Sequence, residues 1–192
     1  GNSLEMRDFV VARSGAELTR PITITLNEGE MLVVRGSNGS GKSTLLKTLA
    51  GLIPVGSGEV RWNQQWPTEE PILYLGHRLG LSKDLTVYDN VALWAKLRGM
   101  PELTAVGLHY FELNDIADTE LTKLSAGWQQ RVALTRLLTM PARLWLLDEP
   151  MANLDSEGMG LLQTLIQSRL DQGGIVVIST HISVSCSRRL RR

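Results

Sequence analysis

Met31-Leu32-Val33-Val34-Arg35-Gly36-Ser37-Asn38-Gly39-Ser40-Gly41-Lys42-Ser43-Thr44 is the stretch that decides the fold of this chain. Residues 36–43 satisfy G-x-x-x-x-G-K-[ST], the pattern of a phosphate-cradling loop. The apolar run Met31 to Val34 reads as a buried strand. Ser43 to Ala50 reads as a helix ending at Gly51, a residue suited to the left-handed cap. Between strand and helix, glycines let successive N–H groups converge on phosphate oxygens, and the helix adds its positive end. A helix end contributes only ~0.3–1 kcal/mol toward a nearby charge, too little to hold a triphosphate. Lys42 is therefore expected to reach the β and γ oxygens, and the Ser43 hydroxyl to ligate Mg²⁺. Gly36, Ser37, Asn38, Gly39, Ser40, Gly41, Lys42, Ser43 and Thr44 form the expected phosphate-binding set.

Further along, Leu144-Trp145-Leu146-Leu147-Asp148-Glu149 is an apolar strand ending in two carboxylates. A buried strand tolerates such charges only at its solvent-facing carboxyl end, the edge where α/β sheets bind ligands. Adjacent strand residues point to different sides, so the two are expected to divide the work. Asp148 would hold Mg²⁺, directly or through water, and Glu149 would polarise an attacking water as general base. Together the loop and this strand point to ATP and Mg²⁺.

The remaining pattern is α/β. Leu4 to Val11 and Ile22 to Leu26 alternate as half-buried antiparallel strands ahead of the loop. Ile72 to Leu75 is a short buried strand. Thr86 to Leu97 has helical spacing of Val87, Val91, Leu93, Trp94 and Leu97. Ser125 caps a predicted helix through Val132, Leu134, Leu137 and Leu138, which Pro141 ends. Leu144 to Leu147 and Ile175 to Ser179 are strands joined by the crossover Ser156 to Leu170. The expectation is one domain over residues 1–192: a mainly parallel sheet with an N-terminal antiparallel strand pair and a helical subdomain at about 86–140.

At 192 residues a single domain removes roughly 70% of its unfolded surface from water, enough for one core. Lys plus Arg equal Asp plus Glu at 20 each, so no broad positive field favours nucleic acid as a partner. One cysteine, Cys186, cannot form an internal disulfide. No apolar run approaches the ~20 residues that cross a bilayer, and no signal segment precedes the first strand, so a soluble chain is expected. Arg188 to Arg192 reads as a solvated, frayed tail.

Leu124-Ser125-Ala126-Gly127-Trp128-Gln129-Gln130-Arg131 resembles the L-S-G-G-Q signature of the ABC ATPases. The phosphate loop, Leu147-Asp148-Glu149-Pro150 and Asn153-Leu154-Asp155 match other motifs of that family, and the resemblance covers essentially the whole chain. It implies a P-loop NTPase fold of ABC type and ATP hydrolysis. It also implies that two copies meet head to tail, so that Leu124, Ser125, Ala126, Gly127 and Trp128 of one close over ATP held by the other. His181 matches the family's switch histidine, which contacts the γ-phosphate and steadies the catalytic carboxylate. His77 stands where the family usually has the Gln that links the site to the membrane subunit. The adenine-stacking aromatic is missing: Arg13 falls near that position, where guanidinium stacking can substitute, and Phe9 is an alternative.

Within that family, Tyr74-Leu75-Gly76-His77, Leu124-Ser125-Ala126-Gly127 and the compact length resemble the ATP-binding subunits of bacterial cytochrome c maturation (haem export) transporters. The resemblance implies integral-membrane partner subunits, a place on the cytoplasmic face of the inner membrane, and haem handled by the complex rather than by this chain. No C-x-x-C-H is present, and His109, beside Leu108 and Tyr110, reads as a packing residue. A chromosomal ABC ATPase would need a long coiled coil between Lys42 and Leu124, for which the chain has no room. A sensor without turnover would not need Glu149. A transporter for another cargo is the nearest rival.

Overall fold

The computed structural model describes residues 1–36, 41–63, 72–181 and 190–191. The chain begins with β1 (Ser3–Val10), a small hairpin of β2 (Ala12–Arg13) and β3 (Ala16–Glu17), β4 (Ile22–Asn27), β5 (Met31–Val34) and α1 (Lys42–Leu49). β6 (Ser57–Asn63), β7 (Leu73–Leu75), α2 (Val87–Leu97), α3 (Leu103–Tyr110), α4 (Ala126–Leu134) and α5 (Arg136–Thr139) follow. β8 (Leu144–Asp148), α6 (Ser156–Asp171), β9 (Ile175–Ser179) and β10 (Leu190–Arg191) close the order. Two compact units result. One holds Gly1–His77, Ala142–Pro150 and the described residues from Ile166 onward; the other holds Arg78–Pro141 and Met151–Leu165.

In the first unit, five strands form a parallel sheet in the order β10-β5-β9-β8-β7. Every residue of β5, β8 and β9 is buried, as continuous apolar runs require when both faces of a sheet are covered. Pairing sets Val34 opposite Ser179 and Asp148 opposite Ser179, so the carboxyl ends of these three strands finish in one row. α1 packs against β8 and β9. Its Leu45, Leu46 and Leu49 join the core with Leu146 and Val177, each such side chain contributing ~1.5–3 kcal/mol by burial. The helix stops as its sequence predicts. Gly51 adopts φ 79, and Gly51 N and Leu52 N donate back to Thr48 O and Lys47 O at 3.1 and 2.9 Å, a Schellman closure.

The N-terminal sheet has three strands, β4-β1-β6, rather than the expected pair. β6 escaped the pattern because most of it is exposed or half-exposed and it carries a glycine. That glycine faces a bulge in β1 between Arg7 and Val10. A Cβ on Gly58 would sit 2.0 Å from the Asp8 carbonyl oxygen, which no side chain survives. Leu190–Arg191 also departs from the solvated tail, pairing in parallel with Leu32 and Val33 at the edge of β5. An open strand edge recruits backbone whatever its side chains. Arg188, Arg192 and Cys186 lie outside the described residues.

In the second unit, Thr86 caps α2, its hydroxyl accepting from Asp89 N at 3.1 Å. The buried side of α2 holds Val87, Val91, Trp94 and Ala95, whereas Leu93 and Leu97 face outward, Leu97 being 67% exposed. The single helix expected after Ser125 is two, α4 and α5. The Thr135 hydroxyl donates to Val132 O at 2.7 Å, a side-chain bond that competes with the helical ladder. His109 is exposed rather than packed, because α3 buries Thr104, Gly107 and Leu108 on its other side.

Candidate functional site

β5 ends at Val34, and α1 begins at Lys42 after Gly41, whose φ of 98 only glycine adopts freely. Of the expected phosphate loop, Ser37, Asn38, Gly39 and Ser40 lie outside the described residues. Lys42 itself is 7% exposed. Its Nζ donates to Glu149 Oε1 at 2.8 Å. The other Glu149 oxygen, Oε2, lies 3.2 Å from His181 Nδ1. Three residues expected to act together, Lys42, Glu149 and His181, thus meet at the carboxyl edge of the parallel sheet. Ser43 and Thr44 occupy the first turn of α1, Thr44 buried and Ser43 half-buried.

Strand alternation does not explain how Asp148 and Glu149 diverge. β8 stops at Asp148, and Glu149 turns left-handed with φ 49, a strained conformation for a non-glycine that costs on the order of 1–3 kcal/mol. The turn is held by Ser179. Glu149 N donates to both Ser179 O at 3.1 Å and Ser179 Oγ at 3.0 Å.

Asp148 is 3% exposed. Its Oδ1 accepts from Ser179 Oγ at 2.6 Å, while Oδ2 is buried with no hydrogen-bond partner among the described residues. The Tyr74 hydroxyl is likewise buried with no partner among those residues. Burial, and secondarily the Asp148 charge, push the Tyr74 phenol up to about 12. An orphaned carboxylate oxygen is a hard donor suited to Mg²⁺, which takes one or two carboxylates plus substrate phosphates rather than a protein cage. The described residues contain no cluster of three or more His, Cys, Asp or Glu that could hold a metal by themselves.

Beside Lys42 runs a largely apolar cleft of about 180 Å³ whose lining includes Met6, Thr19, Ile22, Arg35, Gly41 and Leu45. Phe9 is fully buried in the core, so the alternative that it stacks on a base is excluded. Arg13 sits exposed on the β2–β3 hairpin. His77 is exposed just past β7.

The signature residues form their own site in the second unit. Ser125 is the N-cap of α4, its Oγ accepting from Trp128 N at 3.3 Å. Ser125, Ala126, Gly127, Trp128, Arg131, Asn153 and Asp155 line an open pocket of about 380 Å³. A Cβ on Gly127 would meet the Asn153 carbonyl oxygen at 2.6 Å, so the glycine is required by close packing. Leu124 is half-buried before the cap. Arg131 is buried and holds the turn together. Its guanidinium lies 4.4 Å from the Trp128 ring centroid and bonds Phe111 O, Glu112, Asp155 and Glu157 at 3.1–3.4 Å. The Gly158 N–H and then Arg131 hold the Asp155 carboxyl below its usual range.

The sequence profile of the ABC transporter family matches residues 19–152, and the chain belongs to that family as an ATP-binding subunit with ATPase chemistry, a class that works with integral-membrane partners. It is 40% identical to the cytochrome c biogenesis ATP-binding export protein CcmA of Paracoccus denitrificans, over 95% of this chain and 84% of that one. The protein of the same name from Ruegeria pomeroyi is 38% identical over 95% of this chain and 86% of its own length. Among solved structures, a Pyrococcus furiosus protein described as an ABC transporter ATP-binding protein superposes with a TM-score of 0.83 at 28% identity, covering 98% of this chain and 96% of that one. No helix among the described residues is long and apolar enough to cross a membrane.

Sequence reasoning missed Ser179 and the hydroxyl of Tyr74, and gave Arg131 no role of its own. Ser179 carried a signal: it is the one polar residue of the strand Ile175-Val176-Val177-Ile178-Ser179.

Proposed function

We propose that this chain is the ATPase subunit of a haem-exporting ABC transporter that serves cytochrome c maturation, peripheral on the cytoplasmic face of a bacterial inner membrane. The convergence of Lys42 and His181 on Glu149, beside the buried and unpartnered Asp148 Oδ2, carries the ATPase part of this reading. The cytochrome c biogenesis relatives support the cargo. The two units act as one ABC ATPase domain.

In this reading, residues 36–44 hold the triphosphate and its oxygens take Lys42 over from Glu149. Ser43 and Asp148 would hold Mg²⁺, which when bound would supply positive charge against the charge developing on the phosphates. Glu149, released from the lysine, accepts a proton from water as the water oxygen attacks the γ-phosphorus and the bond to the ADP oxygen breaks. His181 keeps the carboxylate aimed. Ser125 and the backbone at Gly127 meet the nucleotide of a second copy, so turnover requires a homodimer. Arg13 lies against the adenine, and His77 links the site to the membrane subunit. Haem is handled by the complex, not by this chain.

The cargo is tested in a bacterium whose own copy is deleted. Expression of this chain should restore haem-stained c-type cytochromes, and its Glu149→Gln variant should not. Normal cytochrome c without the chain, or full restoration by Glu149→Gln, would refute the reading.

A further inference from the structure

Ser179 is the one polar side chain in a strand whose other four residues are apolar and buried, and it is itself fully buried. Its single hydroxyl makes two contacts of opposite sense. It donates to Asp148 Oδ1 at 2.6 Å and accepts from Glu149 N at 3.0 Å. The parallel register that sets Asp148 opposite Ser179 makes this geometry possible. The first contact engages one carboxylate oxygen, and the other, Oδ2, is buried with no partner among the described residues, which costs free energy that a bound cation would offset. The second contact reinforces the left-handed turn at Glu149.

We propose that Ser179 is a positioning residue for the Mg²⁺–nucleotide site: it selects Oδ2 of Asp148 as the atom offered to the cation and holds the Glu149 turn. This rests on the assignment of Asp148 to Mg²⁺ made above and extends it to a residue one strand away. Residues that orient a ligand in this way typically change metal affinity by ~10–100-fold when removed.

The test uses the full chain and a fluorescent ATP analogue, titrated with Mg²⁺ and separately in EDTA. Ser179→Ala should raise the Mg²⁺ concentration for half-maximal tight binding by ~10–100-fold, with affinity in EDTA unchanged. Ser179→Thr, which keeps the hydroxyl, should restore the wild-type value. Ser179→Cys keeps the shape but substitutes a weak donor and should behave like the alanine variant. It gives the answer even if Ser179→Ala fails to fold. Asp148→Asn separates the two ideas. Loss of Mg²⁺ dependence in Asp148→Asn, with wild-type dependence in Ser179→Ala or Ser179→Cys, overturns the role of Ser179 alone. Wild-type Mg²⁺ dependence in Asp148→Asn overturns the metal assignment and the role of Ser179 with it.

Discussion

Lys42 Nζ lies 2.8 Å from Glu149 Oε1, an ion pair between residues 107 apart in the sequence, with side chains only 7% and 15% exposed. Lys42, proposed to bind phosphate, and Glu149, the proposed base, thus neutralise each other at the carboxyl edge of the sheet. Such a pair contributes little net stability, yet removing one partner strands a charge. Lys42→Ala should therefore abolish productive ATP binding and also lower stability, by up to ~3 kcal/mol. Denaturant unfolding and nucleotide titration measure the two effects, and an alanine variant that binds ATP normally sinks the assignment.

Glu149→Gln keeps the size of the side chain and a hydrogen bond for Lys42 or His181, but cannot accept a proton from water. ATP should still bind, the turnover rate should fall by ~10²–10⁴-fold, and an ATP-bound dimer should accumulate. Steady-state hydrolysis and size-exclusion chromatography with light scattering report on this. Unimpaired turnover would mean that Glu149 is not the base.

Ser125 is exposed at the start of α4, so an arginine there costs the helix its cap, ~0.5–2 kcal/mol, but has room in solvent, and it blocks access to the turn. Ser125→Arg should reduce hydrolysis by ~10²–10³-fold, the scale of losing one donor to a transition state, and leave ATP binding to the monomer intact. Normal hydrolysis by the purified variant would rule out a site shared between copies.

His77 is exposed beyond β7, which suits a residue that touches a partner rather than the nucleotide. In His77→Ala, basal hydrolysis should be close to wild type and stimulation by the membrane subunit should be lost. Equal stimulation in both proteins excludes a coupling role.

The Tyr74 phenol is pushed up to about 12 by burial and by the Asp148 charge, from an ordinary value of ~10. The folded chain therefore holds this proton more tightly than the unfolded chain does. The contribution to stability is complete below pH ~10 and is lost as pH rises through about 12. Subtracting the alkaline absorbance titration of Tyr74→Phe from that of wild type should isolate one phenol ionising near the upper value. A difference curve centred near ~10 would show that the hydroxyl is solvated.

What could be read from the residues in order was whatever depends on local pattern. Continuous apolar runs gave β5, β8 and β9 with nearly their observed bounds, and Ser125 and Gly51 marked helix ends through bonds within a few residues. Weak or one-sided patterns hid the rest. β6 is too exposed to alternate cleanly, β10 is only two residues long, and His109 sits on a helix whose apolar face could not be assigned until α3 was packed. Asp148 and Glu149 were legible as carboxylates at a strand end, but not the turn that separates them.

The sequence by itself determined the class of chemistry, because a phosphate loop and a carboxylate-tipped strand are each written within a few consecutive residues. Only the tertiary structure decided which atoms meet. Ser179 and Asp148 are 31 residues apart and become partners solely because β8 and β9 pair in one register. A shift of one residue would turn the serine to the other face of the sheet.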